Sequence, residues 1–228
     1  MLPIKGIRAL SLIDYPKHLS AVLFLGGCNF KCPFCHNYDL AVYPEKMENL
    51  DENSVFSELE RRKKILEAVV ITGGEPLLYP EVIAFIAQIK KMGYLVKVDT
   101  NGYTPELLEK VIETGSVDFI SMDIKTALET EKYSKAAGIK VDIEKIKQSI
   151  QILLKNQVEY EFRTTWISKF VSFEDILQIC SFILPAQAYY IQQANEGLEE
   201  FQGPEIREIE KKSLIIKEKF KDFNLFIR

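Results

Sequence analysis

Three cysteines stand within eight residues, in Cys28-Asn29-Phe30-Lys31-Cys32-Pro33-Phe34-Cys35, a C-x3-C-x2-C spacing. Thiolates this close on one loop can wrap one face of an iron–sulfur cluster, which is ligated by soft sulfur donors. A 4Fe–4S cube has four irons and the loop offers three ligands, so one iron stays open to something that is not protein. In an electron carrier that gap is a defect; in a cluster that acts on a substrate it is the working position. The fourth cysteine, Cys180, lies beside Ile179 and near Phe182 on a predicted helix. A cysteine there behaves as a small hydrophobe rather than a ligand. Structural zinc is the competing use of the loop. It takes four ligands, commonly as two C-x2-C pairs, and only one such pair is present. Recruiting His36 beside Cys35 would strain a tetrahedral site, and the other histidine is His18.

Other residues with chemical potential fall where apolar runs end. They are Gly26-Gly27 before Cys28, Thr72-Gly73-Gly74-Glu75-Pro76, Asp99-Thr100-Asn101-Gly102, Met122-Asp123-Ile124-Lys125, Arg163-Thr164-Thr165 and Gln192-Gln193-Ala194-Asn195. Gly73 and Gly74 allow backbone to approach a ligand, and Glu75 can accept from an ammonium group. Asp123 and Lys125, two apart at a strand end, share a face. Arg163 can clamp a carboxylate in a planar fork.

The elements that position them alternate between short β-rich and longer helical segments. Strands are expected at Ser20–Leu25, Ala68–Thr72, Tyr94–Asp99, Val117–Asp123, Tyr160–Trp166 and Ala188–Gln193. Helices are expected at Asp51–Leu66, Pro80–Met92, Pro105–Thr114, Asp142–Asn156, Phe173–Leu184 and Pro204–Phe220. Alternating strand and helix imply one parallel sheet with helices outside, and right-handed crossovers curl it. Six units make an α/β fold of the incomplete (β/α)6, TIM-like barrel kind, with ligands at the C-terminal rim. No linker or low-complexity tract divides residues 1–228, so a single domain is expected.

Composition narrows the function. With 228 residues, 47% hydrophobic and 27% charged, the chain has the mix of a folded globular domain. Its 29 basic against 33 acidic residues, net −4, and no basic run longer than Arg61-Arg62-Lys63-Lys64 argue against a nucleic-acid partner. That short run reads as a solvated helix face. The start, Met1-Leu2-Pro3-Ile4-Lys5-Gly6, lacks a signal-peptide pattern, and no apolar run nears the ~20 residues of a membrane span. A cytoplasmic protein with reduced thiols and no membrane association is expected.

The cysteine spacing, with aromatic Phe34 before the last ligand, resembles the signature of the radical S-adenosylmethionine superfamily. Within it, the Cys35-His36-Asn37 ending is similar to the activating enzymes of glycyl-radical enzymes. Together with Ser11-Leu12-Ile13-Asp14-Tyr15-Pro16, the string resembles activating proteins of anaerobic ribonucleoside-triphosphate reductase. The resemblance covers roughly residues 4 to 195. It implies the radical-enzyme type of incomplete barrel, a 4Fe–4S cluster on Cys28, Cys32 and Cys35, and S-adenosylmethionine chelated to the open iron. Reductive cleavage would release a 5′-deoxyadenosyl radical that takes hydrogen from a glycine of the partner reductase. Ferredoxin or flavodoxin is the usual electron donor.

The resemblance also distributes roles. Phe34 would abut the adenine, and His36 would lie over it or near the cluster. Asp123 and Lys125 match a pair that contacts ribose and carboxylate, and Asn37, Thr72, Gly73, Gly74, Glu75, Asp99, Asn101, Arg163 and Gln192 join the cofactor surroundings. Asp99, Thr100 and Met122 match positions that hold a monovalent cation in some activators. Two departures matter. No second cysteine group follows residue 36, so the ferredoxin-like insert of some activators is absent, which favours the compact reductase type. Gln192-Gln193-Ala194-Asn195-Glu196-Gly197 lacks the aromatic or basic residue that follows the glutamines in related reductase activators. The partner could therefore be another glycyl-radical enzyme, or the substrate a small molecule, as in 7-carboxy-7-deazaguanine synthase.

Overall fold

Ser20-Ala21-Val22-Leu23-Phe24-Leu25 and Ala68-Val69-Val70-Ile71-Thr72-Gly73 have the near-continuous apolar character of strands covered on both faces, and they pair in parallel as neighbours. The computed structural model describes residues 2–194, 199–221 and 223–228, apart from the side chain of Glu199. Its eight strands are β1 (Ile4–Ser11), β2 (Ser20–Leu25), β3 (Ala68–Gly73), β4 (Leu95–Thr100), β5 (Phe119–Asp123), β6 (Glu159–Trp166), β7 (Tyr189–Gln193) and β8 (Leu225–Ile227). They form one sheet in the order β1 to β8. Pairing is parallel from β2 to β8, and β1 runs antiparallel to β2. Among the described residues β8 does not return to β1, so the barrel is open, as the six expected strand–helix units require. Those six strands are β2 to β7.

The helices are α1 (Tyr38–Val42), α2 (Glu52–Arg62), α3 (Val82–Lys91), α4 (Pro105–Glu113), α5 (Thr130–Ala137), α6 (Ile143–Leu154), α7 (Phe173–Ile183) and α8 (Ile206–Lys219). Their starts follow local chemistry. Asp51 caps α2 by accepting from Ser54 N, Pro105 opens α4, and Ser172 with Asp175 forms a reciprocal capping box on α7. Helix α2 stops at Arg62, four residues short of the expected Leu66. Among the described residues no helix is long and apolar enough to cross a membrane.

Strand alternation divides the side chains between two environments. Val69, Ile71, Val96, Val98 and Ile120 face outward into a core shared with Ile86 and Ile89 of α3, Leu108 and Val111 of α4, and Ile146 and Ile150 of α6. Each such side chain contributes roughly 1.5–3 kcal/mol on burial. The concave face changes character along the barrel. Near the N-terminal ends of the strands it is apolar, where Tyr15 from the β1–β2 loop packs on Val22, Ala68 and Val70. Toward the C-terminal ends, β4 continues Leu95, Lys97, Asp99, β5 continues Phe119, Ser121, Asp123, and β6 continues Glu159, Glu161, Arg163. The interior therefore runs from a hydrophobic floor to a charged rim.

Three elements beyond the expected set matter for the site. Strand β1 covers one edge of the sheet, short β8 extends the other, and α5 packs Tyr133, Ala136 and Ala137 beneath the cysteine loop. Gly138 ends α5 with φ +69°, and a Cβ there would lie 2.1 Å from the carbonyl oxygen of Lys31. Gly138→Ala should therefore destabilise the protein by on the order of 1–3 kcal/mol in urea unfolding. An unchanged midpoint would show that the helix end does not set the position of the cysteine loop.

Candidate active site

The C-terminal rim encloses a cavity of about 200 Å³ to which six successive strand ends, β2 to β7, contribute. The loop after β2 supplies Cys28, Cys32, Phe34, Cys35, His36 and Asn37; β3 and its loop supply Thr72, Gly73, Gly74 and Glu75. Strand ends β4, β5 and β6 add Asp99, Thr100, Asn101, Asp123, Lys125, Arg163 and Thr165. Of the residues expected at the cofactor, all but Gln192 line this cavity. Gln192 is half-buried on β7, in register with Thr165, and is not itself part of the lining, although Ala194 two residues on is. Asn195, with Glu196 and Gly197, lies outside the described residues.

Backbone contacts hold the cysteine loop. Lys31 N donates to Ala137 O at 2.8 Å, Gly27 N to Leu40 O at 2.9 Å, and Glu75 N to Gly27 O at 2.9 Å. A Cβ on Gly74 would sit 1.9 Å from Gly27 O, so only glycine allows the β2 and β3 loops this approach. The ring of Phe30 is buried against Tyr103, with centroids 5.2 Å apart, and against Tyr133. Cys28 Sγ accepts from Phe30 N at 3.3 Å and faces Asn101 Nδ2 at 3.6 Å.

Burial pushes the Cys28 thiol up to about 12 and the Cys32 thiol up to about 11. Both then want a positive centre before they ionise, and bound iron is such a centre. Among the described residues no three His, Cys, Asp or Glu side chains converge on a single ion. A cube takes one thiolate per iron and needs its sulfurs spread, so Cys28, Cys32 and Cys35 on one cavity wall suit that group and would hold it. Cys180 is fully buried on α7 in the apolar core, apart from this wall.

The cavity is also bordered by a chain of alternating charges, whose Asp99, Arg163, Asp123 and Lys125 belong to the lining. Lys97 Nζ lies 2.6 Å from Asp99 Oδ1, and Arg163 Nη1 lies 3.5 Å from the same oxygen. Arg163 Nε donates to Asp123 Oδ1 at 2.8 Å, and Lys125 Nζ to Asp123 Oδ2 at 3.0 Å. Burial alone would raise the two carboxyls, but Arg163 with Lys97 holds Asp99 below the usual range, and Arg163 with Lys125 holds Asp123 well below it. Burial works against the charge of Lys125 and Arg163 too, yet Asp123 keeps both firmly protonated. The fork of Arg163, expected to grip a ligand carboxylate, is thus engaged with Asp99 and Asp123 of the protein itself, with Glu161 a third carboxylate at 4.0 Å.

Two expected ligand contacts are largely internal. Glu75 is fully buried, and its carboxylate accepts from Leu77 N (2.9 Å), Thr100 Oγ1 (2.8 Å) and Asn101 N (2.7 Å). It ties the β3 loop to the β4 loop. Asn101 donates from Nδ2 to Asn29 Oδ1 at 2.7 Å and accepts from Tyr103 N at 2.9 Å, bracing the cysteine loop. Asn37 donates to Gly73 O at 3.3 Å.

The cavity also has a wall that the sequence motifs did not signal. Phe34 meets Phe170 with centroids 5.3 Å apart, and Phe201 completes the cluster. Ile167 and Ala194 complete this apolar side. Phe170 and Phe201 come from loops without motif character, and only the fold brings them to Phe34. Met122, expected beside a cation, lies outside the cavity lining, buried with its side chain over Gly102.

This arrangement agrees with comparison to known proteins. Residues 22–183 match the Radical SAM superfamily. A Methanocaldococcus jannaschii protein that carries the name of a glycyl-radical enzyme activating enzyme is 37% identical over 195 residues, covering 83% of this chain and 79% of that protein. The pyruvate formate-lyase-activating enzyme of Clostridium pasteurianum is 31% identical over 127 residues, or 54% of this chain and 52% of that enzyme. The match thus spans about half of that relative's length. Among solved structures, Streptococcus suis SuiB bound to precursor peptide SuiA has a TM-score of 0.69 at 14% identity, over 89% of this chain and 46% of SuiB. QueE from Escherichia coli has a TM-score of 0.60 at 13% identity, over 100% of this chain and 93% of QueE. Those two likenesses are of fold. The chain belongs to the radical S-adenosylmethionine superfamily, which implies a 4Fe–4S cluster and S-adenosylmethionine as its cofactors.

Two outcomes follow from the site. Cys180→Ala should leave iron bound per chain unchanged after anaerobic reconstitution; loss of the cluster would make Cys180 a ligand. Burial raises the Glu75 carboxyl from 4.5 to about 7, so the folded state holds this proton more tightly than the unfolded chain. The stabilisation is full below the unfolded value and is lost as pH rises through about 7. In urea unfolding of cluster-free protein, the stability difference between wild type and Glu75→Gln should therefore fall from pH 4.5 to 8. A difference that rises or stays flat would contradict the assignment.

Proposed function

We propose that this chain is the activating enzyme of a glycyl-radical enzyme, with anaerobic ribonucleoside-triphosphate reductase as the partner. When bound and reduced, the cluster supplies the electron that breaks a carbon–sulfur bond of S-adenosylmethionine, giving methionine and a 5′-deoxyadenosyl radical that takes hydrogen from a partner glycine Cα. The observation that carries this reading is that the three cysteines line one cavity together with the ion-paired Asp99, Asp123, Lys125 and Arg163. The M. jannaschii relative supports it, as do the Cys35-His36-Asn37 ending and the absence of a second cysteine group after residue 36.

In this reading each part of the wall has a task. Cys28, Cys32 and Cys35 would hold the cluster. Asp123 and Lys125 present a fixed acceptor and a fixed donor for the polar groups of the cofactor, with Arg163 keeping Asp123 ionised. Thr72, Gly73 and Gly74 offer backbone at close range, and His36 borders the cysteines. Phe34 and Phe201, with Phe170 packed on both rings, give the cavity an apolar, aromatic side suited to a flat base and to excluding water. Excluding water matters because a carbon radical must meet only its intended hydrogen donor. A ferredoxin or flavodoxin delivers the electron.

A small-molecule substrate is the second reading, favoured by the 32% identity over 76 residues to a 7-carboxy-7-deazaguanine synthase. The experiment that separates them is anaerobic reconstitution, reduction with dithionite and addition of S-adenosylmethionine. Wild type should form 5′-deoxyadenosine and methionine, and Cys32→Ala should form neither. With the anaerobic reductase of the same organism present, a glycyl doublet should appear by electron-spin resonance. Cleavage without a doublet from this reductase would overturn the partner assignment, and no doublet from any glycyl-radical enzyme would leave the small-molecule reading.

A further inference from the structure

Lys97 is an odd residue for its place. It lies in the middle of β4, only 2% exposed, and its partners in register are Val70 on β3 and Phe119 on β5. An ammonium buried among apolar neighbours is costly unless paired and hydrogen-bonded. An ammonium has three protons to donate, yet among the described residues Asp99 Oδ1, at 2.6 Å, is the one hydrogen-bond partner of Lys97. A buried leucine or methionine would suit the concave floor better. The residue that gains from Lys97 is Asp99, which lines the cavity and passes its own charge on to Arg163 and, through Arg163, to Asp123.

The same place tests the monovalent cation that the family resemblance implies at Asp99, Thr100 and Met122. The donors do not fit it. Asp99 Oδ1 already sits between two cations, Lys97 and Arg163, and a third would be repelled by both. Thr100 Oγ1 donates to Glu75 Oε1 at 2.8 Å and accepts from Gly102 N at 3.1 Å.

We infer that the Lys97 ammonium is the built-in counter-ion of Asp99, so that this pocket binds S-adenosylmethionine without a monovalent metal ion. Lys97 is not in the cavity wall and acts through Asp99, which makes it a positioning residue. With Lys97 in place, three cations alternate with two carboxylates along Lys97, Asp99, Arg163, Asp123 and Lys125. Without it, Asp99 has only the longer contact to Arg163, and a small cation could then enter beside it.

The inference rests on the reading of this cavity as the S-adenosylmethionine site, and the test separates the two. The dissociation constant of S-adenosylmethionine is measured on the anaerobic, cluster-loaded protein in potassium, sodium and tetramethylammonium chloride at equal ionic strength. Binding in potassium medium reports the site; the ratio between media reports the counter-ion. Wild type should change by less than about twofold across the three salts, because an exposed ionic-strength effect is held constant. Lys97→Met should bind at least about tenfold more weakly in tetramethylammonium, roughly the worth of one charge-assisted contact, and recover in potassium or sodium. Lys97→Arg should keep the salt indifference of wild type. Wild-type affinity that tightens about tenfold or more with potassium or sodium would overturn the inference. So would weak binding by Lys97→Met that neither small cations nor the arginine variant restores, since that assigns Lys97 to folding alone.

Discussion

A loop with three thiolates cannot saturate a four-iron cube, and the cavity that this loop lines leaves space beside it for a ligand that is not protein. The loop must present Cys28, Cys32 and Cys35 on one side of a cavity and leave the other side free for a small molecule. Side-chain packing alone could not hold eight residues so near the rim. Backbone does it instead: the Lys31 amide on the end of α5, the Gly27 carbonyl under the Glu75 amide, and glycines at 74 and 138 where any Cβ would collide. These contacts explain why α5, an unremarkable polar helix, belongs to the site.

The second requirement is charge inside an apolar barrel. Isolated, each of Asp99, Asp123, Lys125 and Arg163 would lose its charge or its place on burial. Arranged in alternating order, each is held ionised by its neighbours, and the rim presents paired charges. The gradient along the concave face follows from strand period. Leu95, Lys97 and Asp99 share one face of β4, so the same strand that packs the floor also delivers the rim its acid. Glu75 belongs to the scaffold in the same way, joining two loops through three donors.

Much of this was legible in the residues themselves. The C-x3-C-x2-C spacing identified the loop, and the six polar strand ends identified the rim, because turn glycines and charges after apolar runs are local signals. Strands β2 to β7 and their helices were legible for the same reason. Strand β1 was not: Gly6, Lys5 and Arg8 weaken its pattern, and pairing with β2 makes it a strand. Helix α5 is too polar to announce itself, and β8 is only three residues long. At the site, Phe170 and Phe201 carry no motif and meet Phe34 only in three dimensions. Gln192 ends a strand as the other rim residues do, yet at the end of β7 it is Ala194 that lines the cavity. Glu75, Asn101 and Arg163 lie where expected, yet their hydrogen bonds go mainly to the protein, which no spacing could reveal.

The central claim is that the unligated iron is the place where cofactor meets cluster. Electron–nuclear double resonance on the reduced, cluster-loaded protein tests it directly, with S-adenosylmethionine labelled by nitrogen-15 at its amino group and oxygen-17 at its carboxylate. The account predicts hyperfine coupling of both labels to the cluster spin. Bound cofactor with neither label coupled, on an intact cluster, would contradict it.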